Sequence, residues 1–180
     1  KSIQHSLHPG TYEVGCSCGN TDALLKSVEL LTDPGDTVFV EEFTWTGFLG
    51  QLKPRGRLAV TIPMDERGVV PAALDKALSQ SKPKRRVFYT VPTGQNPTGV
   101  SVDDDRKREI YKVCQRNNCV ILEDDPYYFL DFSKGSNTCS YLGMDVDGRV
   151  VRLDSASKIM APGMRLGWVS ARPEFLQKFK

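Results

Sequence analysis

Residues 103–126, DDDRKREIYKVCQRNNCVILEDDP, hold the pattern from which the fold can be read. Acidic residues open the stretch, where they suit the positive end of a helix dipole. Ile110, Val113 and Cys114 then fall on one face at helical spacing, which predicts a helix over Asp103–Asn117. Val120–Leu122 follows as a short, wholly apolar strand that runs straight into Glu123-Asp124-Asp125-Pro126. A strand without polar alternation is one covered on both faces, as in a parallel sheet sandwiched between helices.

The same grammar extends in both directions. A helix starts near Asn20, which can cap it, carries Leu24, Leu25, Val28 and Leu31, and is stopped by Asp33-Pro34-Gly35. Strands are predicted over Thr37–Phe43, Arg57–Pro63 and Arg86–Val91, the last ending in the turn Pro92-Thr93-Gly94, with a short helix at Pro71–Leu78. Beyond a polar loop at Ser133–Thr138 come strands at Arg149–Leu153 and Leu166–Ser170, and a helix is under way at Phe179-Lys180. Alternating strands and helices predict an α/β architecture of three layers, a mainly parallel sheet with helices on both faces. In such sheets ligands bind at the carboxyl ends of the strands. No internal repeat or low-complexity segment interrupts the order.

The 180 residues suffice for one domain, and 39% hydrophobic with 26% charged residues is ordinary for a globular chain. A net charge of +2 gives no electrostatic case for a nucleic-acid partner. The basic run Lys82, Lys84, Arg85 and Arg86 reads as a solvated loop before a strand. No apolar stretch approaches the ~20 residues of a membrane helix, and no signal pattern opens the chain. Without an initiator methionine, and ending inside a helix, the chain is expected to be cut at both ends from a longer protein. Five cysteines, Cys16, Cys18, Cys114, Cys119 and Cys139, suggest free thiols in a reducing compartment, hence a cytoplasmic location. His5, His8, Cys16 and Cys18 make a zinc-like set. The C-x-C pair is too tight for a zinc knuckle and has no second pair, so no metal is expected.

The chemistry begins at residues 153–168, LDSASKIMAPGMRLGW. Lys158 sits among small residues just after a predicted strand. A lysine can form a Schiff base with a carbonyl. Ser155, Ser157 and Arg165 around it are donors suited to phosphate, and Arg165 can bind bidentately. A phosphate-bearing aldehyde answers both features, which points to pyridoxal 5'-phosphate. That cofactor needs a carboxylate at its ring nitrogen, which the acidic turn after Val120–Leu122 offers; the plainer reading of that turn, Asp125 included, is an acidic surface. Its phenolic oxygen needs a donor, and Asn96 follows another strand in a string that by itself is only a Pro/Gly-rich turn. Gly19-Asn20-Thr21 opens a helix whose free N–H groups favour an anion, although simple capping by Asn20 explains it equally. Trp45 follows the strand Thr37–Phe43 and can stack on the pyridine face or serve as a core residue.

Together GNTDAL (19–24), PGD (34–36), VPTGQNPTG (91–99), ILEDDPYYFLDF (121–132), MDVDGRVVRLDSASKI (144–159) and GMRLGW (163–168) span nearly the whole chain. They closely resemble the large domain of fold-type I, class I/II aminotransferases. The nearest likeness is to fungal aromatic amino acid and 2-aminoadipate/kynurenine aminotransferases. The resemblance implies that Lys158 forms the Schiff base and shuttles the proton at the substrate α-carbon. Asp124 would pair with the pyridine nitrogen, and Asn96 and Tyr127 with the phenolate oxygen. Ser155 and Arg165 would hold the phosphate with Asn20 and Thr21, beside Gly19, and Ser157 would assist. Trp45 stands where close relatives often carry tyrosine, and Asn20-Thr21 replaces the Ser-Gln of some relatives. The resemblance further implies amino acid and 2-oxo acid substrates such as 2-oxoglutarate, a homodimer at full length, and a C-terminal small domain whose arginine grips the substrate carboxylate. This chain lacks that domain, so residues 1–180 alone are expected to be inactive. Two alternatives share the fold: the effector domain of a transcription regulator, and another pyridoxal-phosphate enzyme such as a C–S lyase or decarboxylase.

Overall fold

The computed structural model describes residues 12–81, 85–132 and 139–180. His5, His8, Lys82, Lys84 and the loop Ser133–Thr138 lie outside the described residues. The elements run in the order β1 (Glu13–Ser17), α1 (Asn20–Leu31), β2 (Thr37–Glu41), α2 (Thr46–Leu52), β3 (Leu58–Ile62), β4 (Met64–Asp65), β5 (Gly68–Val69) and α3 (Pro71–Gln80). They continue with β6 (Arg86–Thr90), α4 (Asp104–Arg116), β7 (Cys119–Asp124), α5 (Tyr141–Met144), β8 (Val150–Ser155), β9 (Gly167–Ala171) and α6 (Pro173–Phe179).

Seven strands form one sheet in the order β1-β9-β8-β7-β6-β2-β3. β9 is antiparallel to both its neighbours, β1 and β8, whereas β2, β3, β6, β7 and β8 pair in parallel. Six strands therefore point the same way, and β9 alone runs against them. Successive strand residues face opposite sides, which explains the unbroken apolar runs. Val38, Val40, Val87, Leu122, Val151 and Leu153 pack under α1, α2 and α6, while Phe39, Phe88, Ile121 and Val150 pack under α3, α4 and α5. This is the expected mainly parallel sheet between two helical layers.

Several details depart from the sequence reading. β1, α2, α5 and the small hairpin β4–β5 carry no period strong enough to announce them. Asn20 does not cap α1: Gly19 occupies that position without a side-chain cap, and the Asn20 amide is engaged elsewhere. Asp103 does cap α4, its carboxylate accepting from the Arg106 N–H. Arg86 opens β6, as the predicted strand Arg86–Val91 has it, but it is not solvated as the basic run suggested, since its guanidinium donates to the Ser81 hydroxyl and the Asn117 carbonyl. The acidic turn is no surface feature either, since Glu123, Asp124 and Asp125 are 0%, 5% and 1% exposed. The cysteines are unpaired, with Cys114 and Cys119 buried and Cys16 and Cys18 exposed.

What permits this burial is Arg152, itself 1% exposed in β8. Its guanidinium donates to Glu123 at 2.9 Å, to Asp125 at 3.0 Å, and to both oxygens of Asp154 at 3.0 and 2.8 Å. Glu123 also accepts from the Tyr141 and Leu142 N–H groups at the start of α5, and the Tyr128 ring covers the guanidinium with its centroid at 4.8 Å. One cation thus ties the ends of β7, β8 and α5 together on the α4–α5 side. Removing one partner of a buried ion pair costs about 3–5 kcal/mol, because the remaining charges stay buried. Arg152→Met should lower the unfolding free energy by that order in urea titrations, whereas Arg67→Ala, whose partner Asp103 lies in solvent, should change it little.

Candidate active site

Asp124 is the last residue of β7, and the strand's alternation turns it toward α1, opposite to its neighbours Glu123 and Asp125. Its Oδ1 accepts from Asn20 Nδ2 at 2.7 Å and its Oδ2 from the Tyr89 hydroxyl at 2.9 Å. Burial pushes the carboxyl up to about 6, more than the Asn20 and Tyr89 donors pull it down. Tyr89 was not among the residues the sequence singled out. It sits in β6 one strand over from Asp124, its ring stacked on Phe48 with centroids 3.9 Å apart. The only sequence signal for it is a hydroxyl in an otherwise apolar alternate row of RVFYT.

Ser155 closes β8, and its hydroxyl accepts from the Ser157 N–H at 3.1 Å, which shapes the turn that leads to Lys158. Lys158 is exposed, its Nζ 5.8 Å from the centroid of the Tyr127 ring. Arg165 adopts a left-handed backbone conformation (φ 47°), uncommon for a residue with a side chain and frequent at functional turns. From there its Nη2 reaches back to the Cys18 carbonyl at 3.1 Å. Gly19 makes that reach feasible, for a Cβ there would lie 2.4 Å from Arg165 Nη2. On the other side Trp45 folds over Gly47, where a Cβ would fall 2.2 Å from the indole.

These segments surround one cavity of about 240 Å³. Asn20, Thr21, Trp45, Asn96, Asp124, Tyr127, Ser155, Ser157, Lys158 and Arg165 all line it, joined by Tyr89, Val91, Pro126 and Pro162. Gly19 alone of the expected residues does not face it, serving instead as the gap through which Arg165 passes. The cavity opens at the carboxyl ends of the parallel strands and at the start of α1, whose first N–H groups lack helical partners. Among the described residues there is no group of three or more histidine, cysteine or acidic side chains able to hold a metal. No helix among them is long and apolar enough to cross a membrane.

A parallel α/β sheet gathers a lysine, a buried carboxylate, an asparagine and an arginine at its carboxyl edge, an arrangement suited to a pyridoxal-phosphate protein. The chain belongs to the class I and II aminotransferases, whose family profile matches residues 11–180. It is 41% identical to the mitochondrial kynurenine/alpha-aminoadipate aminotransferase of Rattus norvegicus over 186 residues, covering 98% of this chain and 44% of the rat protein. The aminotransferase Aro8 from Candida albicans superposes with a TM-score of 0.90 at 35% identity, over 99% of this chain and 42% of that one. Kynurenine aminotransferase from Pyrococcus horikoshii, solved with PMP, KYN and KYA, gives 0.91 at 32% identity, over 99% and 44%. The chain therefore spans somewhat under half the length of these relatives.

The residues present fit pyridoxal 5'-phosphate, the cofactor of this family. Asp124 is an anion-forming group in a nearly dry wall, where a pyridinium N–H would offset its burial. Asn20 Oδ1, also at the wall, is buried without a hydrogen-bond partner. Arg165, Ser155 and the N–H groups that open α1 are donors of the kind a phosphate takes, and all border the same cavity.

The raised Asp124 carboxyl has a consequence for stability. A folded-state value near 6 against 3.8 means that the folded protein holds the proton more tightly, so stability is lost as pH rises through the folded value. Replacing the titrating group removes that loss. In urea unfolding of the cofactor-free protein, Asp124→Asn should gain on the parent by roughly 3 kcal/mol between pH 3.5 and 7, at about 1.4 kcal/mol per unit. The difference should be flat above pH 7.5; a difference independent of pH throughout would contradict the account.

Proposed function

We propose that residues 1–180 form the cofactor-binding large domain of a pyridoxal-phosphate-dependent aminotransferase. Its amino donor is of the aromatic, kynurenine or 2-aminoadipate type, and its acceptor a 2-oxo acid such as 2-oxoglutarate. The observation that carries the reading is the convergence of Lys158, Asp124, Asn96, Tyr127 and Arg165, from three stretches of the chain, on one cavity. When bound, the cofactor supplies an aldehyde for amines and a ring that accepts the electron pair released at the substrate α-carbon.

The chain's residues divide the remaining work. Lys158 Nζ is the amine that would hold the aldehyde and, when free, carry the proton at the substrate α-carbon. Asp124 would keep a proton on the ring nitrogen. Asn96 and Tyr127 would donate to the phenolic oxygen. Arg165, Ser155 and the Asn20 and Thr21 N–H groups would bind the phosphate, with Ser157 assisting, and Trp45 would stack on the ring. Because the Asn20 amide is already bonded to Asp124, its part in phosphate binding falls to the backbone. The exposed Ile159, Met160, Met164 and Leu166 near the cavity mouth suit the apolar contact of a homodimer. The unpaired thiols suit a reducing compartment, and we favour the cytoplasm, although the rat relative is named mitochondrial. Residues 1–180 alone should bind cofactor without turning over substrate, since over half the length of the relatives has no counterpart in them.

The test uses the full-length protein. Borohydride reduction should attach the cofactor at Lys158, and Lys158→Ala should abolish both that adduct and steady-state transamination of kynurenine, 2-aminoadipate and aromatic amino acids. An adduct that persists at another lysine defeats the assignment. Clean trapping at Lys158 without transfer from any of these donors would defeat the substrate class.

A further inference from the structure

Glu41, at the end of β2, is fully buried, and no ion pair with it occurs among the described residues. Its carboxylate is held by uncharged donors alone. Thr90 Oγ1 donates at 2.7 Å, the Val91 N–H at 3.3 Å and Gln95 Nε2 at 2.9 Å. Burial pushes the carboxyl up to about 7 despite those three donors. Gln95, 1% exposed, spends its whole side chain on anchoring. Its amide nitrogen also donates to the Phe43 carbonyl, and its Oε1 accepts from the Thr98 N–H at 2.9 Å and the Thr98 hydroxyl at 2.6 Å. Both N–H groups and both lone pairs of a buried glutamine are therefore used. Four bonds of this kind leave the turn one arrangement, and Asn96, between Gln95 and Thr98, faces the cavity from it.

We propose that Glu41 and Gln95 are positioning residues for Asn96: the buried carboxylate grips the Gln95 amide, which clamps the turn that presents Asn96 to the cofactor's phenolic oxygen. The proposal rests on the reading of Asn96 given above. Neither residue touches the cavity, so neither is a catalytic residue. Without the grip, the Gln95 side chain keeps only its contacts to Phe43 and Thr98, and the turn loses its side-chain bond to the end of β2. Asn96 would then meet the phenolic oxygen only part of the time.

The test is the pH midpoint of the bound cofactor's visible absorbance in the full-length holoenzyme, with the cofactor dissociation constant measured beside it. A donor on the phenolic oxygen favours its deprotonated form, so losing that donor raises the midpoint. Asn96→Ala should raise it by about one unit, the size of one hydrogen bond to a charged group. Glu41→Leu should raise it by at least half as much and weaken cofactor binding severalfold. Glu41→Gln, which still offers an acceptor to Gln95, should stay near the parent. In Glu41→Leu/Asn96→Ala the midpoint should match Asn96→Ala alone, because there is nothing left to position. If Glu41→Leu fails to fold, Thr98→Val, at an exposed site, removes the hydroxyl bond that holds the other end of the Gln95 amide, and a midpoint that it leaves unmoved while Asn96→Ala moves it overturns the clamp. A midpoint that moves in Asn96→Ala but not in Glu41→Leu, or shifts that add in the double variant, overturns the positioning role alone. A midpoint unmoved by Asn96→Ala overturns the Asn96 contact and this proposal with it.

Discussion

The carboxylate of Asp124 stands in a nearly dry wall on two uncharged donors, Asn20 and Tyr89. Such a group is costly to hold as an anion, and among the described residues nothing cationic bonds to it. The cost becomes useful when a positive partner arrives, since burial strengthens that one attraction while excluding water from competing for it. Much of the site's architecture follows. α1 must begin where Asn20 can reach β7, and β6 must lie beside β7 so that Tyr89 can do the same.

The two sides of the sheet handle buried charge in opposite ways. On the α4–α5 side, Arg152 compensates Glu123, Asp125 and Asp154 with direct ion pairs. On the α1 side, Asp124 has only dipoles among the described residues. Because strand residues alternate, Asp124 and Asp125 are neighbours in the chain yet belong to different electrostatic worlds. The compensated cluster pins the ends of β7 and β8, from which Asp124 and the Ser155–Lys158 turn project. Rigidity is thus built behind the site, and electrostatic tension in it.

Glu41 is a second buried carboxylate with no cation among the described residues, and its bonds end on the turn bearing Asn96. Burial raises Glu41 and Asp124 alike, one near 7 and the other near 6. Stability given up near neutral pH to hold unpaired carboxylates is the usual signature of a site shaped for a ligand rather than for folding.

The layered α/β fold and most of the cavity lining were legible in local signals, while the choice of Asp124 within the acidic turn and the place of Tyr127 came from the family resemblance. Apolar runs such as VIL at 120–122 and the helical spacing of Ile110, Val113 and Cys114 report burial directly. The strings around Asn96, Asp124 and Lys158 each carry a residue type that the chemistry demands. The partners, by contrast, are set by packing between distant segments. That Asn20 bonds Asp124 across 104 positions rather than capping its own helix depends on strand order. So does Tyr89, a hydroxyl in an apolar strand whose meaning lies in which strand runs beside it. The acidic turn looked like surface because a carboxylate's burial is set by its distant counter-charge, and Arg152 lies 27 residues beyond Asp125. Period and composition can say which face a side chain takes; what it meets there is fixed by packing between elements far apart in the chain.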